Sequence, residues 1–303
     1  MKLLKNCIVC DGTEHRLVYP STYRGGVAEA HDYFLADRKA SAHGDIRACC
    51  GCGFVFTSPQ FDAADYDRIY SRIGSAKAPG DTASGPGDVA TRARFARLRQ
   101  AVARHTDLSQ PFVDFGCGNG DFLREAGSPS GCGFEIGAPG RRSGPAASKI
   151  ISGSWPELAG SAELPWGSQA TVTAFDVFEH LAELERDIRL IRRVLRADGH
   201  LFVTVPDVAS LVARASGGRW NMLLLEHLWY FSAATLDRLL LKHGFAAIEH
   251  RSVPYDASLG HIAKRLGESG SLRLPTLPAW LGDRVVPAPA GVLFAAYRCN
   301  RRD

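Results

Sequence analysis

The chain has 303 residues, a formal net charge of +4, 45% hydrophobic residues and 22% charged residues. At roughly 150 residues per domain this length predicts about two domains, and the composition is that of an ordinary globular protein. The small net charge argues against a dedicated nucleic-acid binder, because such proteins usually carry a strongly basic domain or stripe. The sequence has no run of 18 apolar residues, and its N-terminus MKLLKNCIVCDG has no signal-peptide pattern. We therefore expect a cytoplasmic protein without a membrane span, whose cysteines stay reduced.

The N-terminal zone, residues 1–58, contains two C-x-x-C pairs. Two residues between thiolates let both sulfurs bind one metal ion, and four such ligands close a tetrahedral structural zinc site. The pairs lie further apart than in the usual short zinc ribbons, so the segment between them has to form a small sheet of its own. We predict a zinc-ribbon-like domain, with a redox or disulfide role as the alternative. The predicted Zn²⁺ ligands are Cys7, Cys10, Cys49 and Cys52.

Residues 59–110 have the pattern of a linker with helices, interrupted by a stretch rich in Gly, Pro, Ser and Ala. In the arginine-rich segment TRARFARLRQAVAR, Phe95, Leu98 and Val102 recur at helical spacing. The arginines then fall mostly on the opposite, solvated faces of the helix. The alternative is that they clamp a phosphate group of a charged substrate.

From Pro111 onward, strand-like apolar runs alternate with helical patterns, which is typical of a mostly parallel α/β sheet. The predicted domain is 111–303. Its predicted strands are FVDF (112–115), CGFEI (132–136), KII (149–151), ATVTAF (170–175), HLFVTV (200–205), FAAIEHRSV (245–253) and GVLFAAYR (291–298).

Two helices are predicted from apolar spacing and end signals. The first carries a stripe at intervals of three and four residues, from Leu181 to Leu195, and ends at Asp198-Gly199. The second runs from Ser232 to His243, with Ser232 as its N-cap and Gly244 after its last turn.

A glycine-rich turn in VDFGCGNGDFLREA links the first strand of the sheet to the next helix. Such glycines let the backbone turn sharply and approach a ligand closely. Glu135 ends the second strand, at about the distance where nucleoside-binding folds place an acid on the ribose. The third glycine comes one residue too early for a dinucleotide fingerprint, where Asp121 stands instead. The glycines are Gly116, Gly118 and Gly120.

With these motifs the sequence resembles the class I S-adenosylmethionine-dependent methyltransferases over about residues 90 to 300. DFGCGNG is similar to their first motif, and TAFDVFEHLAELERDIRLIRRVLRADGHLFVTVPD to their fourth and fifth strands with the helix between. The resemblance implies a Rossmann-like seven-stranded sheet with helices on both faces. It also implies that the last strand, GVLFAAYR, is antiparallel.

The resemblance further implies which residues bind S-adenosylmethionine. The three glycines face its methionine moiety, Glu135 holds its ribose, and the segment from Asp176 to His180 lines the pocket. Ser154 or Trp155 contacts the adenine. The implied cofactor residues are thus Asp114, Gly116, Gly118, Gly120, Glu135, Ser154, Trp155 and Asp176.

The cysteine pairs and the segment EHLWYFS narrow the resemblance to bacterial natural-product and deoxysugar methyltransferases. This similarity implies that His227 is a general base with Glu226 as its companion. His180, which also follows a glutamate beyond the end of a strand, is the alternative base. Tyr66 and Tyr70 of the linker either close the site or are plain core residues.

The expected function is transfer of a methyl group to oxygen or carbon of a small polar metabolite, such as a nucleotide-activated sugar or a natural-product intermediate. A zinc-ribbon protein that methylates or merely binds RNA is one alternative. A protein that binds the cofactor without catalysis is another. The sequence predicts no oligomeric state.

Overall fold

Among the residues that it describes, the computed structural model contains two β-sheets joined through a common core. It describes residues 2–30, 32–34, 42–62, 64–66, 69, 89–135, 149–153, 155–260, 262–263 and 278–300. The strands are β1 (His15–Tyr19), β2 (Ile46–Cys49), β3 (Val55–Thr57), β4 (Phe112–Phe115), β5 (Gly131–Glu135), β6 (Lys149–Ser152), β7 (Gln169–Phe175), β8 (Leu195–Pro206), β9 (Trp229–Tyr230), β10 (Phe245–Ser258) and β11 (Val285–Cys299). The α-helices are α1 (Val27–Ala30), α2 (Val89–Val102), α3 (Asp121–Ala126), α4 (Trp155–Leu158), α5 (Leu184–Val194), α6 (Leu211–Ser216), α7 (Ala233–Lys242) and α8 (Ala279–Gly282). Two 3₁₀ turns span Phe178–His180 and Gly217–Arg219.

The larger sheet has seven strands in the order β10-β11-β8-β7-β4-β5-β6. Strands β8, β7, β4, β5 and β6 pair in parallel, whereas β11 is antiparallel to both of its neighbours. This arrangement confirms the predicted α/β fold with an antiparallel last strand.

Side chains that alternate along the strands fill two cores, one on each face of this sheet. Val113 and Phe115 of β4 belong to the core that also contains residues of α5 and α7. Phe112 belongs to the opposite core, together with Leu98 of α2 and Phe122 of α3. Helices therefore cover both faces, as predicted.

Element ends differ from the sequence prediction at several places. Helix α5 ends at Val194, and Leu195 already belongs to β8, whereas the predicted stripe continued to Leu195. The two C-terminal strands are longer than predicted because they pair with each other as far as Ser258 and Val285. Ile136, predicted as the last residue of the second strand, lies outside the described residues.

The smaller sheet has the order β1-β2-β3-β9, with antiparallel pairing throughout. Its first three strands come from the cysteine-rich N-terminal zone, and the fourth comes from the segment that follows β8. Phe54 packs against Trp229 and Phe231 at ring-centroid distances of 6.0 and 5.4 Å. The two sheets therefore share one continuous apolar core.

Helix α2 has mostly solvated arginines, as expected, with Arg94 as the exception. Arg92 is exposed, but the Arg94 side chain is only 13% exposed and forms an ion pair with Asp176. Arg97 pairs at 2.8 Å with the buried carboxylate of Asp256. The prediction was wrong at Arg94 because the end of β7 brings a carboxylate against this helix.

Within the described part of the chain, none of the helices combines the length and apolar character that crossing a bilayer requires.

The start of α7 offers a direct test of local stability. Ser232 Oγ accepts a hydrogen bond from Thr235 N at 3.3 Å, and Thr235 Oγ1 accepts one from Ser232 N at 2.9 Å, so the two residues form a capping box. Ser232→Ala should lower the free energy of unfolding by about 1 kcal/mol, measured by denaturant titration. Ser232→Gly is the matched control and should cost only a few tenths of that energy. An unchanged unfolding midpoint for Ser232→Ala would contradict the cap.

Candidate functional site

The glycine-rich turn follows β4 at the carboxyl edge of the large sheet. Gly116, Gly118 and Gly120 have φ angles of 75°, 53° and 74°, which L side chains rarely adopt. A Cβ on Gly116 would stand 2.5 Å from Val177 Cγ2, so the turn lies directly against the segment after β7. A Cβ on Gly118 would meet no atom of the described residues within 4 Å. The turn is thus packed on one side and open on the other.

Two carboxylates flank this turn. Glu135, at the end of β5, accepts a hydrogen bond from Gly118 N at 2.8 Å. Asp114, at 3% exposure, accepts one from Thr173 Oγ1 at 2.6 Å, and burial raises the pKa of Asp114 to about 7. Glu135 therefore lies beside the open face of the turn, while Asp114 lies beneath it.

The segment after β6 carries the residues predicted to contact adenine. Trp155 begins α4 and is 2% exposed. Its ring packs against Phe115 and Phe134 at centroid distances of 4.6 and 5.1 Å. Ser154, the other predicted residue, lies outside the described residues.

Asp176 follows β7 with a φ of 56°. Its carboxylate accepts hydrogen bonds from Arg94 and, at 2.7 Å, from Thr204 Oγ1. Arg94 also stacks over the Tyr255 ring, with Cζ 4.8 Å from the centroid. Helix α2 and strands β7, β8 and β10 are thus joined at this edge of the sheet.

A group of three side chains lies just beyond Asp176. Glu179 and His180 end the 3₁₀ turn after β7, and His227 precedes β9. One ligand atom of each lies within 4.8 Å of the others, and the two imidazole centroids are 4.7 Å apart. We call Glu179, His180 and His227 the carboxylate–histidine cluster.

Backbone carbonyls fix the tautomers of the two histidines. His180 Nδ1 lies 3.1 Å from the carbonyl oxygen of Glu226, and His227 Nδ1 lies 2.9 Å from that of Met222. Because a carbonyl oxygen only accepts hydrogen bonds, each Nδ1 carries the proton, and in the neutral ring Nε2 holds the lone pair. Burial lowers the pKa of His227 well below its ordinary value, and His180 adds to the shift.

Glu179 is 1% exposed, and its Oε2 has no hydrogen-bond partner among the residues that the structure describes. Burial, reinforced by the neighbouring Asp176 carboxylate, raises the pKa of Glu179 well above its usual range. Its backbone carbonyl accepts a hydrogen bond from Leu228 N at 2.7 Å. The 3₁₀ turn and the His227 segment are therefore held together through the main chain.

The small sheet positions the His227 segment from the other side. Thr57 at the end of β3 donates from Oγ1 to the His227 carbonyl oxygen at 2.8 Å, and from its backbone N to that of Leu228 at 2.9 Å. Trp229 Nε1 donates to the Leu181 carbonyl oxygen at 2.7 Å. His227 is consequently fixed between the two sheets.

The remaining residues predicted for the acceptor side take different positions. Glu226 is half-buried, and its backbone carbonyl oxygen accepts the hydrogen bond from His180 Nδ1. Tyr66 is 6% exposed and packs against Phe34 and Phe61, which is the arrangement of a core residue. Tyr70 lies outside the described residues.

The four predicted metal ligands lie together at one end of the small sheet. Cys7 Sγ and Cys52 Sγ are 3.6 Å apart, Cys10 Sγ and Cys49 Sγ are 3.5 Å apart, and all four sulfurs lie within 4.8 Å of one another. A tetrahedral ion about 2.3 Å from each sulfur needs sulfur–sulfur separations of about 3.8 Å. The separations fit that geometry and are far longer than a disulfide bond. Cys50 is exposed.

Sequence analysis did not single out Glu179 or Arg94. Glu179 stands directly before His180, but its unpaired oxygen and its closeness to His227 depend on a contact between segments far apart in sequence. Arg94 lies on a helix with several solvated arginines. Only its ion pair with Asp176, which the sequence does not reveal, distinguishes it from them.

Residues 90–250 match a family described as "Methyltransferase domain", and this is more than half of the chain. No curated protein is similar enough in sequence to match it.

Several solved structures are similar to this chain, and the first of them has the same fold. A chain of the complex that contains the Haloferax volcanii Trm112 methyltransferase activator is 14% identical, with a TM-score of 0.51, over 69% of this chain and 91% of that one. The Burkholderia thailandensis 1,6-didemethyltoxoflavin-N1-methyltransferase is 16% identical, with a TM-score of 0.49, over 83% and 98%. An Archaeoglobus fulgidus SAM-dependent methyltransferase is 17% identical, with a TM-score of 0.47, over 69% and 94%.

At 14% identity the likeness to the first structure is one of fold. The family match covers both the glycine-rich turn and the carboxylate–histidine cluster. The chain belongs to the methyltransferase-domain family and has the fold of the S-adenosylmethionine-dependent methyltransferases.

Proposed function

We propose that this protein transfers the methyl group of S-adenosylmethionine to a small polar metabolite, at oxygen or carbon. Nucleotide-activated sugars and natural-product intermediates are the first acceptors to test. The observation that carries the proposal is the contact between the glycine-rich turn and Val177. It puts an open, glycine-lined surface next to the segment that bears Glu179 and His180.

The residues around the turn suit S-adenosylmethionine. Gly118 leaves room for close approach of a ligand, and Glu135 offers a carboxylate that can accept hydrogen bonds from ribose hydroxyls. S-adenosylmethionine supplies a methyl group on a positively charged sulfur, which leaves as a neutral thioether. The protein therefore needs to align the acceptor and to manage its proton.

The carboxylate–histidine cluster is the proposed acceptor side. In their neutral forms, both imidazoles keep Nε2 free of a proton, so either can accept one from an acceptor hydroxyl or carbon acid. We favour His227 in this role because both sheets hold its backbone in place. Glu226 supports it by holding His180 through its carbonyl group.

A cavity next to the His227 segment is consistent with a small acceptor. Its volume is ≈ 200 Å³, and Leu225, two residues before His227, lies in its wall. Polar side chains of the N-terminal zone and the linker, among them Asp45 and Gln60, form part of the lining. We propose this cavity as a binding place for a polar group of the acceptor.

The direct test of the function is incubation with methyl-labelled S-adenosylmethionine and a panel of nucleotide sugars, phenols and bulk RNA. Label should pass to a small molecule and not to RNA. Transfer to RNA alone would overturn the proposal, and so would tight cofactor binding without transfer to any member of a broad metabolite extract.

Glu135 tests the proposed cofactor site. A hydrogen bond to a charged group contributes about 1.5–3 kcal/mol, so Glu135→Ala should weaken S-adenosylmethionine binding roughly 10–150-fold in calorimetry. Glu157→Ala, an exposed acid on the neighbouring helix α4, is the control and should bind normally. Wild-type affinity for Glu135→Ala would remove Glu135 from the site.

The cysteine cluster is proposed to hold one structural zinc ion per chain. Replacing Cys7, Cys10, Cys49 or Cys52 by Ser should remove the ion from protein purified without chelator, as measured by mass spectrometry of the metals. Cys50→Ser should retain it, because that thiol is exposed and lies outside the cluster. Metal-free wild-type protein would refute the zinc site.

His227 tests the acceptor side. A general base contributes typically about 10²–10⁴-fold, so His227→Ala should lower kcat by about that factor while cofactor affinity stays nearly constant. Calorimetry with S-adenosylmethionine measures the cofactor affinity of the variant. If turnover stays within a fewfold of wild type, His180 replaces His227 as the candidate.

A further inference from the structure

The carboxylate–histidine cluster contains the elements of a metal site that is separate from the four cysteines. It offers two imidazoles and one carboxylate from two distant segments of the chain. Typical metal–ligand distances for nitrogen and oxygen are about 2.0–2.2 Å, so ligands around one ion lie up to about 4.2 Å apart. One nitrogen or oxygen atom of each side chain lies within 4.8 Å of the others, which is close to that limit.

The hydrogen bonds of the histidines match those of metal ligands. A ligating imidazole normally donates its other ring N–H to a carbonyl or carboxylate, which fixes its orientation. His180 and His227 both do this with backbone carbonyls, at 3.1 and 2.9 Å. The Nε2 atoms are then the nitrogens available to a cation.

Glu179 supplies the second, independent observation. Its side chain is almost fully buried, and its Oε2 lacks a hydrogen-bond partner within the described ranges. An unpaired buried polar atom costs free energy unless something satisfies it. A cation held between Glu179 and the imidazoles would satisfy it.

We propose that Glu179, His180 and His227 bind one divalent transition-metal ion. Two imidazoles and one carboxylate suit Fe²⁺, Co²⁺, Ni²⁺ or Zn²⁺ better than Mg²⁺ or Ca²⁺, which prefer oxygen ligands alone. Three protein ligands leave at least one coordination position for water or another oxygen ligand.

Metal binding at this cluster stands independently of the proposed function. Only the role of the metal in methyl transfer rests on that function. A metal ion lowers the pKa of a bound hydroxyl or water. An acceptor hydroxyl bound to the ion would lose its proton to water, and His227 would act through the ion rather than as a free base. The loss of turnover expected for His227→Ala is the same in either case. Metal binding separates the two, and it is measurable without cofactor or acceptor.

The experiment uses the full chain with its cysteine site filled by zinc, titrated with Co²⁺. One Co²⁺ per chain should bind without displacing zinc, and its spectrum should lack thiolate-to-cobalt charge-transfer bands. Glu179→Gln should weaken this binding by more than the roughly 10–100-fold that losing a hydrogen bond to a metal ligand costs. His180→Ala should do the same.

Glu183→Gln, an exposed acid four residues further on, is the matched control and should bind Co²⁺ as wild type does. Circular dichroism confirms that each variant is folded, and Glu179→Gln preserves side-chain size and the backbone bond to Leu228. Equal Co²⁺ affinity in wild type and Glu179→Gln, or no binding beyond the cysteine site, would overturn the metal site. Either result leaves the methyl-transfer assay unaffected, so the two proposals fail separately.

Discussion

The arrangement of this molecule depends on the attachment of β3 to the segment around His227. Thr57 makes two hydrogen bonds to consecutive carbonyl oxygens, those of His227 and Leu228, and β9 then completes the small sheet. Phe54 and Trp229 bury the same junction. Because buried backbone groups have to be paired, this junction fixes the His227 segment in a way that the large sheet alone cannot.

A second contact joins the two sides of the candidate site. Gly116 lies so close to Val177 that any side chain there would collide with it, and Val177 is followed directly by the 3₁₀ turn that carries Glu179 and His180. The glycine-rich turn and the carboxylate–histidine cluster are therefore neighbours by packing. The carboxyl ends of parallel strands converge at one edge of such sheets, which is where ligands bind.

Local patterns were enough to predict most of the fold. The strand runs, the Ser232 cap and the cysteine pairs each carry their signal within a few residues, and the resemblance to methyltransferases supplied the antiparallel last strand. The end of α5 was missed because Leu195 fits both a helical stripe and the start of β8, and only pairing with Gln169 decides between them.

The candidate site was less accessible from the sequence. Its glycines and Glu135 form a compact motif, but Trp155 could not be recognised as a core residue without its packing against Phe115 and Phe134. Arg94 and Glu179 owe their roles to partners far away in the chain. The spacing of a motif can be read from a single sequence, whereas side-chain burial and contacts between distant segments cannot.

The junction at Thr57 also has a structural consequence. The glycine-rich turn belongs to the large sheet, whereas His227 is held from β3, whose neighbour β2 ends at Cys49 of the cysteine cluster. A disturbance at the cysteine cluster would therefore reach His227 through β2 and β3 and leave the glycine-rich turn in place, so the two halves of the candidate site depend on different parts of the fold.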